Sequence, residues 1–144
     1  MELRNRNWLI GEQTKETVNY FKDNGICLVS VDAPETEHFT AMPNTDYLTT
    51  EKLFYLRAHG KNAEAYIKGK TVQDRFNHDY SISEIGNIGE RLANFDKKAQ
   101  KIFAVFNNNR ERQAPDAAKL LYEYLNTHFP QKISAPKEKE PTLF

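Results

Sequence analysis

Arg57, His59 and Asn62 fall within six positions at the end of an apolar run, in the stretch FYLRAHGKN at residues 54–62. An arginine presents a planar fork of donors to a carboxylate or phosphate, and a histidine exchanges protons near neutral pH. Side by side they suit an anion held next to a group that gives or takes a proton. Gly60 follows at once and lets the backbone leave an extended strand sharply. Three other apolar runs carry polar residues in the same way: Glu2 and Arg4 in the first, Asp32 in ICLVSVD, and Asn107–Asn108–Asn109 after KIFAVF.

These residues need elements to position them. The runs 2–8, 26–32, 53–59 and 101–107 read as β-strands. Helical periodicity lies between and after them, in EQTKETVNYFKDNG, SISEIGNIGERLANFDKKAQ and APDAAKLLYEYLNTHF. The first helix carries Val18 and Tyr20–Phe21 on one side and stops at Gly25. The second has Ser81 or Ser83 as N-cap and repeats Ile85, Ile88, Leu92 and Phe95; the third aligns Ala118, Leu121, Tyr122 and Leu125. Strand alternating with helix predicts an α/β fold with a parallel sheet. Residues 33–52 have no period and read as a long loop, and 130–144 as a disordered tail rich in proline and charge.

Alternation along 53–59 sets Phe54, Leu56 and Ala58 against Tyr55, Arg57 and His59. Parallel α/β sheets and barrels bind ligands at the carboxyl ends of their strands. Glu2, Arg4, Asp32, Arg57, His59 and Asn107 are therefore expected to converge on one mouth. There His59, Glu2 and Asp32 are the catalytic candidates. Arg4, Arg57, Asn62, Asn107 and Asn108 are the ligand-binding ones. The competing structural reading is an ion-pair network in which Glu2 and Asp32 neutralise Arg4 and Arg57 and fix strand register.

Composition narrows the function classes. Basic and acidic residues balance at 20 each, so bulk charge offers no sequence-independent grip on nucleic acid. The single cysteine, Cys27, sits in an apolar run and reads as a small buried hydrophobe; with no disulfide framework, the expectation is a reducing cytoplasm. No stretch is long enough to cross a membrane. No phosphate loop, serine elbow or cysteine pair occurs, and the residues identify no cofactor. Glu2, Asp32 and His59 suit zinc or manganese by type, but neighbouring arginines oppose a cation, so no metal is expected. His38, His78 and His128 fit no metal spacing and read as surface or loop residues, and Trp8 reads as core.

Five segments in order carry a family resemblance: ELRNRNW (Glu2, Arg4, Trp8), VSVDAP (Asp32, Pro34), FYLRAHGKN (Arg57, His59, Gly60, Asn62), RFNHDYS (Arg75, Tyr80, Ser81) and VFNNNRERQAPDAAKLL (Phe106, Asn107, Asn108, Gln113, Ala114). Over residues 2–126 the chain resembles the C-terminal half of the YecE-like family, domain of unknown function 72. The resemblance implies a partial TIM-barrel-like parallel β/α fold, about half a barrel, spanning residues 1–129. The chain departs from the family pattern at His78, Asn109, Arg112 and Ala117, whereas Arg57–His59–Gly60 is intact. The family's first half has no counterpart, which predicts a truncated or split product. A half barrel leaves two unpaired sheet edges, so the expected partner is a second copy or a separately encoded N-terminal half.

The leading functional expectation is an enzyme-like barrel-mouth pocket for a small anionic ligand containing phosphate or sugar, with nucleic acid a weaker candidate. Arg4 and Arg57 would hold the anion, His59 would act as general acid or base, Glu2 and Asp32 would orient the arginines, and Asn107 or Asn108 would donate hydrogen bonds. The alternatives are a binding module without turnover and a decayed fragment without independent function.

Overall fold

The structure is a computed structural model that describes residues 1–108 and 110–130. Three parallel strands, β1 (Ser30–Asp32), β2 (Phe54–Ala58) and β3 (Ile102–Phe106), lie in that order in one sheet. Helices α1 (Gln13–Asp23), α2 (Ala63–Lys68), α3 (Val72–Arg75), α4 (Ile82–Ala93) and α5 (Gln113–His128) complete the α/β architecture. The tail expected from residue 130 falls, past Pro130, outside the described residues.

Register explains the layering. Leu56 pairs with Ser30 and Ala104, and Ala58 with Asp32 and Phe106. Partners in a parallel pair share a face, so Phe54, Leu56 and Ala58 join Ile102, Ala104 and Phe106 on one side. There they pack against Ile85, Ile88 and Leu92 of α4 and Ala117 and Leu121 of α5. Full burial of each large side chain here contributes about 1.5–3 kcal/mol. The opposite face carries Tyr55, Arg57, Phe103 and Val105. On it Phe103 is 51% exposed and Val105 38%, on a strand at the sheet edge. A second cluster, of Leu9, Val18, Phe21, Leu28, Val31, Ala33 and Met42, lies beneath α1.

Local signals set the helix ends. Ser81 and Glu84 form a reciprocal capping box at the start of α4, as Thr71 and Asp74 do for α3. Gly25, at φ 61°, follows α1. Residues 33–52 contain no helix or strand, and Asn44 ties the loop back by pairing both backbone groups of Ala33 at 2.8 and 3.0 Å.

Several expectations need correction. Residues 2–8 do not form a strand: Met1 accepts one backbone bond from Val29, and Arg6–Leu9 then winds into a 3-10 turn. Asn5 caps that turn by accepting from the Asn7 N–H, a local bond that competes with sheet pairing. Trp8 is 51% exposed and lines an apolar groove of about 390 Å³ with Leu3, Tyr20 and Phe21. Tyr20 is exposed while Thr17 joins Val18 and Phe21 inside. On α5 Leu121 and Leu125 lie on the inner face as expected, but Ala117 and Tyr124 join them in place of Ala118 and Tyr122, which are exposed. Cys27 is only half-buried, its thiol 3.4 Å from the Leu53 carbonyl. The short helices α2 and α3 were not foreseen, because neither is long enough to show a period.

Candidate functional site

The carboxyl end of β2 meets the extended N-terminal segment, and there Glu2 gathers three basic side chains. Its Oε1 accepts from His59 Nε2 at 3.0 Å and lies 3.3 Å from Arg4 Nη1, while Oε2 pairs with Arg57 Nη1. Arg57 spends the rest of its fork on Asn107, whose Oδ1 accepts from Nε at 3.2 Å and Nη2 at 2.7 Å. Burial would push the Glu2 carboxyl up, but the bonds and charge of His59, then Arg57 and Arg4, outweigh it and hold the pKa at about 2. The carboxylate is therefore ionised throughout the working range.

His59 is 2% exposed. Phe76 stacks on its ring at 5.1 Å, and Tyr66 meets Phe76 edge-on at 5.9 Å. With Nε2 committed to Glu2, Nδ1 is buried and has no partner among the described residues. A small cavity of about 190 Å³ opens beside this stack, lined by Arg4, Thr40, Tyr66, Arg75 and Phe76.

Asp32 does not join this cluster. Its register partner is Ala58, which places it on the helix-facing side. There its carboxylate takes Arg91 Nη1 of α4 at 2.8 Å, Lys61 Nζ at 2.8 Å and the Tyr80 hydroxyl at 3.0 Å. Arg91 also grips Asp46 in a bidentate pair at 2.7 and 2.9 Å. Burial alone would lower the Arg91 pKa; Asp46 and Asp32 reverse that and raise it. Burial and the Asp32 charge keep Tyr80 protonated far into the alkaline range. The neutralisation expected between Asp32 and Arg57 or Arg4 is thus replaced by two separate networks.

Backbone bonds stitch the two networks together. The His59 N–H donates to the Asp32 carbonyl at 2.7 Å, and the Gly60 N–H donates to the Tyr80 hydroxyl at 2.8 Å. Gly60 has φ 89°, and a Cβ there would sit 2.6 Å from the Cβ of His78. His78 is therefore a packed residue, with Nε2 3.0 Å from Glu84, rather than a free loop histidine.

The other expected residues are placed as follows. Asn62 caps α2, accepting from the Ala65 N–H at 3.0 Å. Asn108 is wholly buried and donates to the His78 carbonyl at 2.9 Å, leaving Oδ1 without a partner among the described residues. Lys61, Arg91, Asp46, Tyr66 and Phe76 were not foreseen as neighbours of the site. Arg91 had a signal, since it stands between Ile88 and Leu92 at the edge of an apolar helix face. Among the described residues no group of three or more histidine, cysteine or carboxylate side chains is placed to hold a metal ion. None of their helices is long and apolar enough to cross a membrane.

The family described as "Protein of unknown function DUF72" matches residues 1–142. The chain belongs to this family. The UPF0759 protein YunF of Bacillus subtilis (strain 168) is similar at 26% identity over 133 residues, covering 90% of this chain and 47% of YunF. A crystal structure of a DUF72 family protein from Enterococcus faecalis V583 superposes with a TM-score of 0.84 at 26% identity, covering 99% of this chain and 50% of that one. A DUF72 family protein from Thermotoga maritima MSB8 shares the fold, with a TM-score of 0.75 at 24% identity over 85% of this chain and 44% of that one. The chain spans about half the length of the DUF72 relatives it matches.

Proposed function

We propose that this DUF72 chain contributes part of a TIM-barrel-like β/α fold whose strand ends form an acid–base pocket for a small anionic ligand. The observation that carries the reading is the buried His59 ring, with Nε2 on an ionised carboxylate and Nδ1 without a partner among the described residues. Leaving a buried acceptor unpaired costs about 1–3 kcal/mol, which strand register alone does not require. Glu2 favours the tautomer with its proton on Nε2. The lone pair on Nδ1 then takes a proton from the ligand, and the Glu2 charge stabilises the imidazolium that results. Arg57 and Asn107 act through Glu2, as positioning residues. Phe76 covers the ring and would have to swing aside to admit a ligand.

The exposed Phe103 and Val105 beside half-buried Tyr55, and the edge position of β3 among the described strands, suit cover by further polypeptide, either a second copy or a complementary N-terminal half. The lone cysteine fits a reducing cytoplasm. Nucleic acid fits less well, given the zero net charge.

The test is turnover of phosphorylated and sugar compounds by the oligomer or complex, compared with the His59→Gln variant, which keeps hydrogen bonding and loses titration. The expected result is loss of turnover with ligand binding retained. Equal turnover by the two proteins overturns the acid–base role. Ligand binding by both without turnover favours a binding module, the reading that the threefold occupancy of Glu2 also suits.

A further inference from the structure

The geometry points to a subsite for a phosphate-type oxyanion between Arg4 and Arg75, taking the phosphoryl end of a small phosphorylated molecule. The inference rests on the pocket reading above and names the charged end of its ligand. Arg57, the expected anion binder, is already consumed: all three of its donor nitrogens are spent on Glu2 and Asn107. Arg75 is not. Its Nε donates to the Tyr66 carbonyl at 3.3 Å, which orients the guanidinium, and its terminal nitrogens bond to none of the described residues. Among the described residues Arg4 pairs with a single oxygen of Glu2, and its side chain is 59% exposed.

Around Asp32 the lysine and arginine meet two carboxylates. Among the described residues Arg4 and Arg75 line the 190 Å³ cavity with no carboxylate in its wall, and the Glu2 carboxylate behind Arg4 is shared with Arg57. In a chain of zero net charge, this is a local excess of positive charge with cavity walls of Tyr66 and Phe76 behind it. Apolar walls strengthen each charge–charge interaction by excluding water. Two forks approaching from different elements match a tetrahedral phosphate, which offers oxygens in several directions, better than a planar carboxylate, which offers both oxygens in one plane. The cavity volume and neutral total favour a small molecule over a polymer.

The experiment is calorimetric titration of the whole chain with inorganic phosphate, alongside Arg75→Met, Arg4→Met and, as a control, Lys68→Met on the exposed Glu64 pair. Saturable binding that falls about tenfold or more in each arginine variant and is unchanged in the lysine variant supports the subsite. Arg75→Lys, which keeps the charge but loses the fork, is a second probe if Arg75→Met folds poorly, and should bind several-fold more weakly than the parent. Absence of saturable binding, or undiminished binding in the folded Arg75 variants, overturns it. Arg75-dependent phosphate binding without turnover of any phosphorylated compound sustains the subsite and sinks the acid–base reading. Turnover of a phosphorylated compound that survives Arg75→Met sinks the subsite alone.

Discussion

Asp32 and Arg57 are one register step apart on adjacent parallel strands, yet they face opposite sides of the sheet. Val31 is the partner of Arg57, and Asp32 the partner of Ala58. One residue of offset sends the carboxylate back to Arg91 on α4 and the guanidinium forward to Glu2. The same offset gives each charge its own counter-ion, and the two networks make separable predictions.

Glu2→Gln should destabilise the fold by about 3 kcal/mol at neutral pH, because a carboxyl drawn from 4.5 to about 2 carries stability of that order. The sign follows from the lowered folded pKa. The contribution is complete above pH 4.5 and is lost as pH falls toward 2. Urea midpoints measured across that interval should drop steeply in the parent and less so in the variant. Parallel curves would show that Glu2 is not the group responsible.

Tyr80→Phe tests the second network from the alkaline side. Its folded pKa is raised above the ordinary value of 10, so its contribution is present below pH 10 and fades as pH rises further. The variant should lose about 1–3 kcal/mol at neutral pH, from the orphaned Gly60 N–H and the lost Asp32 bond. It should also show a shallower decline in stability above pH 10, as read by denaturant unfolding.

Gly60→Ala places a Cβ at φ 89° and within 2.6 Å of His78. Backbone strain of about 1–3 kcal/mol adds to that overlap. Thermal unfolding should shift down by several degrees, whereas the same change at Gly25, where no atom lies within 4 Å of the added carbon, should cost less.

Phe103→Lys puts a charge on the exposed sheet face beside Val105 without touching the α4–α5 core. If that face is where further polypeptide docks, sedimentation should show the parent associating and the variant monomeric at the same concentration. An unchanged distribution would place any association elsewhere.

Three of the four expected strands and the three long helices were legible because their signals are local: a Ser81 cap, a Gly25 stop, and Ile85, Ile88 and Leu92 at helical spacing. The gathering of Arg57, His59 and Asn107 was legible from polar strand ends, while Glu2 joins them from an extended segment rather than from the expected strand. What was not legible depended on register and loop geometry. Asp32 required knowing which neighbour it paired with. Trp8 required knowing that Asn5 ends the extended run before the indole reaches the core. Arg75 sits at the end of a four-residue helix whose existence only the Thr71–Asp74 box announces.

The two backbone bonds that flank His59 have a further consequence. Its own N–H is held by Asp32 and the next one by Tyr80, while the ring is clasped between Glu2 and Phe76. A side chain so fixed has already surrendered its rotational freedom when the chain folds. Once Phe76 had moved aside, a ligand arriving at the ring would find the imidazole aligned and would lose no affinity to ordering it.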